Sequence, residues 1–366
     1  MSSQVLITGA TGYVGLRLAH RYLSEGKSVV LHVRAGDDAE LGSRSERLRG
    51  RLPDAGERLE IVRGDLTADE PFASVDPERI GAIIHSAAVT AFNVEREMAE
   101  AVNLQGSIKL FSFARRCPSL RRLGLLSTVY ASGLVRGEVT ESALETEREF
   151  ANHYEWSKFE TERALREQFD DLPWTVYRLA TVIADDDTGT VSQQNAVHNT
   201  LKLFFYGLLS LLPGDAETPL YLVTGQFCAD AVYEIAESDA MRDTFHVCHT
   251  RDESITLEQF TDIAFTRFER DDDYRARKLL RPLLCDAESF ELLAEGIDSF
   301  GGAVVNQGLR SVRPFVRQLY CPKTFANDKL VARLSRYRAP DPEALVGGAV
   351  DNLVATRWGK RKGPTP

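Results

Sequence analysis

Short hydrophobic runs alternate with segments of helical periodicity through the first half of the chain. Aliphatic and β-branched residues predict strands at residues 5–7, 28–33, 59–62, 81–85, 123–126 and 174–179. Apolar positions with helical spacing predict helices over residues 16–23, 95–116 and 149–168. Strands that alternate with helices form parallel sheets with right-handed crossovers. The pattern therefore predicts an α/β fold built on a Rossmann-type doubly wound parallel sheet.

The alternation weakens after residue 185, where the pattern predicts a second, smaller region. We expect residues 1–185 to form the sheet domain, with later strands from about residues 220–250 completing it, one of them at 244–247. Residues 186–220 and 251–345 are expected to form a mostly helical substrate-binding region, and residues 346–366 a C-terminal tail. Thr256 and Gln259 have the spacing of a capping box, which predicts a helix from there to about residue 268.

The longest apolar run, residues 201–212, contains Lys202 and is too short to cross the roughly 30 Å of a bilayer core as a helix. It predicts protein core, a pocket wall or a helix lying on a membrane surface, and no transmembrane span.

The net charge of −10 argues against a nucleic-acid binder, which needs a concentrated basic face. Five cysteines without close pairs favour reduced thiols and a cytoplasmic location. Residues 246–249 read His-Val-Cys-His, which includes side chains that can bind a metal. No second cluster of such ligands accompanies them, so we expect no metal site.

A glycine-rich turn lies between the first strand and the first helix. Gly9 permits a tight turn, Gly12 lets the backbone approach a pyrophosphate, and Gly15 lets the helix pack on the strand. The phosphates would meet the positive end of the helix. This arrangement predicts dinucleotide binding, with candidate contacts at Thr8, Gly9, Thr11, Gly12, Tyr13, Val14 and Gly15.

Arg34 stands at the end of the second strand, where an NAD-specific protein usually has an acidic residue for the ribose 2′-hydroxyl. A cation there suits a 2′-phosphate, which favours NADP(H) over NAD(H). Ligands of doubly wound sheets bind at the carboxyl ends of the strands, and small residues there let a ligand lie close. The other candidates at this edge are Asp65, Leu66, Ser86, Ala87, Ala88, Ser127 and Thr128, and Asn103 lies on the following predicted helix.

Tyr154 and Lys158 are four positions apart in a predicted helix and therefore share a face. An ammonium group beside a phenol favours the phenolate, which predicts a tyrosine pKa below its usual value of about 10. The pair is thus a candidate general acid or base.

These residues together resemble the extended short-chain dehydrogenase/reductases, through TGATGYVG at 8–15, GDL at 64–66, Asn103, the hydroxyl pair at 127–128 and the Tyr/Lys spacing at 154–158. Four further stretches are similar to the thioester-reductase and fatty-acyl-CoA-reductase branch, also called male-sterility-like. They are HVRAGDD at 32–38, IIHSAAVTAFN at 83–93, STVY at 127–130 and LLPGDAETPLYLV at 211–223. The resemblance covers about residues 4–240.

The resemblance implies a role for each matching residue. It makes Tyr154 the proton donor, and Lys158 a ligand of the nicotinamide ribose that also tunes the tyrosine. Thr128 would polarise the substrate carbonyl, with Ser127 as the rival for that role, and Asp65 would lie by the adenine.

The preferred function is an NADPH-dependent reductase that transfers hydride to an acyl thioester carried by CoA or an acyl carrier protein. Its product would be the aldehyde, or the alcohol after a second reduction. Three alternatives stay open, namely a dehydrogenase of ketones or alcohols, a nucleotide-sugar epimerase and a non-catalytic dinucleotide sensor. Leu179 and residues 223–228 depart from the family pattern on the substrate side, so the resemblance leaves the acyl group open.

Overall fold

The computed structural model describes residues 3–145, 148–300, 306, 309 and 312–360. Its strands are β1 Gln4–Thr8, β2 Val29–Val33, β3 Leu59–Arg63, β4 Ile80–His85, β5 Arg122–Thr128, β6 Gly137–Val139, β7 Trp174–Leu179, β8 Thr181–Ala184, β9 Leu211–Pro213, β10 Pro219–Leu220, β11 Leu222–Thr224, β12 Asp243–Val247, β13 Ile255–Thr256, β14 Leu283–Cys285 and β15 Lys323–Phe325.

The longer helices are α1 Tyr13–Ser24, α2 Asp38–Arg51, α3 Arg96–Ala99, α4 Gly106–Ala114, α5 His153–Gln168, α6 Ala196–Phe205, α7 Gly225–Ala236, α8 Leu257–Phe268, α9 Asp272–Arg277 and α10 Ala287–Phe300. Three more follow at Val316–Leu319, Asp328–Arg333 and Pro342–Ala355. None of the described helices is long and apolar enough to cross a membrane.

Seven parallel strands form the central sheet in the order β12-β7-β5-β4-β1-β2-β3. The chain leaves β1 towards β2 and β3, then returns to place β4 on the other side of β1. The point at which the order reverses opens a crevice at the carboxyl ends of β1 and β4, where ligands of such sheets bind. The predicted doubly wound α/β fold is confirmed.

Alternating side chains of the strands build two cores, one on each face of the sheet. In β1, Val5 and Ile7 pack on the face covered by α1 and α7, whereas Leu6 packs on the face covered by α4 and α5. Strands buried on both faces need apolar residues at successive positions, which explains the short uninterrupted hydrophobic runs.

A third core lies in the smaller region and includes the apolar run expected at 201–212. Phe204 and Phe205 of α6 pack against Phe265 and Phe268 of α8, and the C-terminal helix contributes to the same core. That helix, Pro342–Ala355, buries Val346 completely. The tail expected from residue 346 therefore begins later, because the helix runs to Ala355 and buries apolar side chains as far as Leu353.

Two expected elements differ in detail. The helix predicted over 95–116 is composite, since a π-helical segment, Glu100–Gln105, joins α3 to α4. The helix predicted from residue 149 begins at His153, where the side chain of Asn152 accepts a hydrogen bond from the Glu155 backbone N–H at 3.0 Å. Of the strands between 220 and 250, β12 joins the central sheet, while β11 pairs with β8.

Candidate active site

The glycine turn joins β1 to α1 at the crevice. Gly9 has a left-handed backbone (φ +74°), and a Cβ atom there would lie 2.6 Å from the backbone nitrogen of Ala87. A Cβ atom on Gly15 would overlap the carbonyl oxygen of Gly9. Among the described residues, no side chain caps α1 at Gly12, and its first turn carries no acid. The free N–H groups and positive helix end therefore fit the pyrophosphate of a dinucleotide.

The remaining turn residues divide between solvent and core. Thr11 is exposed, and Val14 is buried in the core beneath the turn. The ring of Tyr13 lies under the guanidinium of Arg17 at 4.8 Å, and Arg17 forms an ion pair with Asp185 at 3.2 Å. The first turn of α1 is thereby tied to the loop that follows β8.

A buried hydrogen-bond chain holds the segment after β4 against the turn. The Ala87 N–H donates to Thr8 Oγ1 at 3.2 Å, and Thr8 Oγ1 lies 2.7 Å from His85 Nδ1. His85 Nε2 lies 2.9 Å from Ser107 Oγ, which in turn donates to the Asn103 carbonyl oxygen. Donors and acceptors balance when His85 is neutral with its proton on Nε2. Burial lowers the pKa of His85 to about 3, with Lys158 adding to that shift, which agrees with a neutral ring.

This chain places the small residues expected near a ligand. Ser86, Ala87 and Ala88 follow β4 directly and are half-buried along the crevice. His85 was not recognised from the sequence, since one histidine at the end of an apolar strand carries no motif.

Arg34 and Asp65 lie at the outer end of the crevice, after β2 and β3. Arg34 is exposed, and within the described residues no carboxylate lies close enough to form an ion pair with it. Burial opposes ionisation of Asp65, but hydrogen bonds from Thr67 and the charge of Arg34 outweigh it and lower the pKa. Leu66 is buried against Gly106 of α4 and is a core residue. Arg34 therefore offers an exposed guanidinium, without an ion pair among the described residues, to an anionic group.

Asn103 connects the crevice to the helix that carries Tyr154. Its Oδ1 accepts from the Val89 N–H at 2.8 Å, and its Nδ2 donates to the Val89 carbonyl at 3.0 Å and to Ser157 Oγ at 2.9 Å. Ser157 Oγ also donates to the Tyr154 carbonyl at 2.8 Å. The amide of Asn103 is thus fully engaged with protein, so the structure places it as a clamp between the β4 segment and α5.

The two candidate hydroxyls at the end of β5 have different surroundings. Ser127 Oγ donates to Glu162 Oε1 at 2.6 Å, and Glu162 forms a buried ion pair with Arg178 at 2.7 Å. Arg178 and Glu162 are 0% and 3% exposed at their side chains, which makes this pair part of the interior. Successive residues of a strand face opposite sides. Thr128, the last residue of β5, therefore points away from Glu162.

Thr128 lies beside the hydroxyl group of Tyr154. Its Oγ1 accepts from the Tyr130 N–H at 3.3 Å, and its own proton is available to the Tyr154 oxygen, an interaction that lowers the tyrosine pKa. Burial is the larger influence and, together with the charge of Glu155, raises the pKa of Tyr154 above its usual value. The predicted lowering by Lys158 is wrong for this structure, because surrounding protein desolvates the phenolate. Tyr154 as a whole residue is half-buried, and protein atoms surround its hydroxyl group densely.

Lys158 lies one turn along α5, and only 4% of it is exposed. Burial lowers the pKa of Lys158 to about 8, and the nearby Glu162 carboxylate partly opposes that shift. Within the part of the chain that the structure describes, its ammonium group has neither a hydrogen bond nor an ion pair. A buried cation without partners is costly, so this group fits the ribose hydroxyls of a bound cofactor.

Residues from the C-terminal region also reach this site, and the sequence did not identify them. The Phe92 ring lies 6.0 Å from that of Tyr154 and stacks on Phe315 at 5.1 Å. Gln318 Nε2 donates to Glu155 Oε2 at 2.8 Å. These contacts join positions far apart in the chain, so no spacing of residues within one segment predicts them.

The fold and this crevice define the chain as a Rossmann-type dinucleotide-binding protein with a Tyr/Lys pair beside the cofactor cleft. The model of an NAD-binding family described as male sterility protein matches residues 7–232. Because the match covers more than half of the chain, the chain belongs to this family. The predicted family is confirmed.

Two curated relatives and one solved structure are among the most similar. The isonitrile lipopeptide synthase of Streptomyces coeruleorubidus is 30% identical over 212 residues, which is 54% of this chain and 14% of that protein. The Drosophila melanogaster fatty acyl-CoA reductase wat is 22% identical over 272 residues, 62% of this chain and 53% of that protein. The terminal R domain of the myxalamid PKS-NRPS pathway superposes with a TM-score of 0.80 at 20% identity, covering 100% of this chain and 93% of that one.

Proposed function

We propose that the chain is an NADPH-dependent reductase of acyl thioesters. The observation that carries this proposal is the convergence of Thr128, Tyr154 and the partnerless Lys158 at the crevice beside the glycine turn. A carbonyl oxygen that approached Thr128 and Tyr154 would meet two hydroxyl donors at the point where negative charge develops during reduction.

Each of these side chains has a defined part in the reaction. The bound cofactor supplies the hydride. Thr128 donates a hydrogen bond to the substrate oxygen, and Tyr154 donates a proton to it. The resulting hemithioacetal collapses to the aldehyde as its C–S bond breaks, and the carrier leaves as the free thiol, which takes up the hydroxyl proton. Because its pKa is raised, Tyr154 keeps its proton at neutral pH and acts as an acid. Lys158 binds the ribose and places its positive charge beside the forming oxyanion.

The proposal assigns NADP(H) rather than NAD(H) as the cofactor. Arg34 is exposed at the end of β2, where the ribose 2′ position of a dinucleotide lies in such folds. It has no carboxylate partner within the described residues, so its guanidinium is available for a phosphate.

The five free cysteines are consistent with the reducing cytoplasm, where we place the reaction.

The thioester substrate is supported by the two curated relatives, one named as a fatty acyl-CoA reductase and the other as a lipopeptide synthase. We propose CoA or an acyl carrier protein as the carrier and the aldehyde as the first product, with the alcohol formed by a second reduction. The ketone, sugar and sensor alternatives share the same fold, and among the described residues no contact in the site favours any of them.

The test is NADPH oxidation by the purified chain with acyl-CoA, acyl-carrier and aldehyde substrates, with trapping of the product aldehyde. We expect turnover with a thioester and a loss of about a hundredfold or more in Tyr154→Phe and Thr128→Val. Ser127→Ala is the matched control for Thr128→Val and should retain more activity, because Ser127 bonds Glu162. If NADPH binds but no thioester is reduced, the proposal fails.

A further inference from the structure

Three aromatic rings from distant parts of the chain form a wall beside the Tyr154 ring. Phe92, from the segment after β4, lies closest to Tyr154, at 6.0 Å between ring centroids. Phe315 stacks on Phe92 at 5.1 Å with 12° between the planes, and its ring also meets the ring of Tyr130 edge-on at 5.0 Å. We call Phe92, Tyr130 and Phe315 the aromatic wall. The wall thus neighbours the Tyr154 ring through Phe92.

A small cavity lies against Phe315 and Tyr130. Its volume is about 10 Å³, room for at most a single water molecule. Its apolar lining comes from Phe315, Tyr130, Leu220, Leu319 and Phe325, and Thr218, Gln318 and Lys323 line the rest. The ring of Phe315 therefore contacts both this cavity and Phe92, the neighbour of Tyr154.

The backbone that carries Phe315 is firmly anchored. Gln318 is 3% exposed, and it donates to Glu155 at 2.8 Å while accepting from Lys323 Nζ at 2.6 Å. Asn152 Nδ2 also donates to the Pro314 carbonyl at 3.4 Å. Because these bonds engage the polar groups at the margin of the cavity, the surface offered to an occupant is mainly apolar. The side chain of Phe315 is the part of this segment that can change the space available.

We propose that Phe315 is a specificity-determining residue that closes the acyl pocket, so that the chain prefers compact acyl groups to long alkyl chains. The inference rests on the proposed function, because it assumes an acyl carbonyl at Thr128 and Tyr154. From that point the acyl group extends along Phe92 and meets Phe315. Removing the ring joins the cleft to the cavity beyond, and enlarging it shortens the pocket.

The test is a comparison of kcat/KM for butyryl-CoA, octanoyl-CoA and palmitoyl-CoA, with NADPH, in the wild type, Phe315→Ala and Phe315→Trp. We expect the palmitoyl-to-butyryl ratio to rise about tenfold or more in Phe315→Ala and to fall in Phe315→Trp. Phe169→Leu is the matched control, because Phe169 packs on Phe111 in the core of the sheet and should leave the ratio unchanged. Phe315→Leu gives the same comparison if the alanine variant does not fold.

The outcomes separate this inference from the function on which it rests. If the wild type reduces thioesters but the ratio in Phe315→Ala stays within about twofold of its value, Phe315 does not set chain length. A rise in the ratio that Phe169→Leu shares also overturns the assignment, since it would reflect general loosening. If no acyl-CoA of any length is reduced, the proposed function itself fails and the inference fails with it.

Discussion

At the residue scale, burial sets the pKa values of Tyr154 and Lys158, the pair of titratable side chains that α5 presents to the cleft. Tyr154 has its pKa raised by burial and by Glu155, and Lys158 has its pKa lowered to about 8 by burial. The tyrosine is therefore an acid at neutral pH, and the lysine is a cation that is lost in mildly alkaline solution. Sequence spacing identified the pair, but burial is a property of the folded chain, so the direction of the tyrosine shift could not be predicted.

Lys158 should give the reaction a pH dependence. Its ammonium form predominates below a pH of about 8 and is lost above it, so kcat/KM for NADPH should fall as the pH rises through about 8. Lys158→Arg keeps its charge throughout this range and should lose that inflection, whatever its absolute rate. Steady-state profiles of both proteins provide the measurement. An inflection of equal size in Lys158→Arg would assign the titration to another group.

Arg34 should determine the choice of cofactor. Arg34→Ala is expected to weaken NADPH binding about tenfold or more, the size of a lost hydrogen bond between charged groups, with little effect on NADH. Fluorescence titration with both nucleotides measures the two dissociation constants. Arg47→Ala, an exposed arginine on the adjacent helix α2, is the control for general charge effects. Equal losses for NADPH and NADH in Arg34→Ala would refute the assignment.

At the element scale, the crevice depends on the close contact of two connections, the glycine turn after β1 and the segment after β4. The turn was predictable because three glycines at this spacing between a strand and a helix are typical of a dinucleotide-binding turn. The π-helical segment that carries Asn103 could not be predicted, because its apolar residues have the spacing of an ordinary α-helix. Asn103 bonds to Val89 and to Ser157, and it thereby clamps the segment after β4 to helix α5.

Two glycine variants test the contact between the turn and the β4 segment. Gly9→Ala places a Cβ atom 2.6 Å from the Ala87 nitrogen at a left-handed backbone position, so we expect a loss of about 1–3 kcal/mol in unfolding free energy and weaker NADPH binding. Gly42→Ala, at an open position in α2, should instead stabilise the chain by about 0.5–1 kcal/mol. Urea unfolding measures both. The turn would be looser than described if Gly9→Ala were as stable as Gly42→Ala.

At the scale of the whole molecule, a buried polar network joins the sheet to the C-terminal region. Arg178 of β7 pairs with Glu162 of α5 and lies 3.2 Å from His246 of β12. His246 Nδ1 lies 2.7 Å from the Ala326 carbonyl oxygen, beside β15. Strand positions were predictable from local hydrophobic runs, but these links connect distant segments and depend on the tertiary fold. For the same reason, the sequence did not indicate that Phe315 and Gln318 lie near the site.

Breaking this network should cost far more than breaking a surface pair on the same helix. Glu162→Gln leaves Arg178 charged and buried, so we expect a loss of about 3–5 kcal/mol in unfolding free energy. Glu160→Gln removes the exposed pair with Arg163 and should cost about 1 kcal/mol or less. Denaturant unfolding of the two variants gives the comparison. Similar losses in both would show that the buried pair does not support the fold as described.

We propose that this cleft transfers hydride from NADPH to a thioester carbonyl. The most direct test of this proposal uses NADPH deuterated at the transferable position of the nicotinamide, an acyl-CoA substrate and mass spectrometry of the trapped aldehyde. We expect one deuterium on the carbonyl carbon of the aldehyde formed by the wild type, and no labelled aldehyde from Tyr154→Phe. An aldehyde without deuterium, or equal labelled product from Tyr154→Phe, would contradict the proposal.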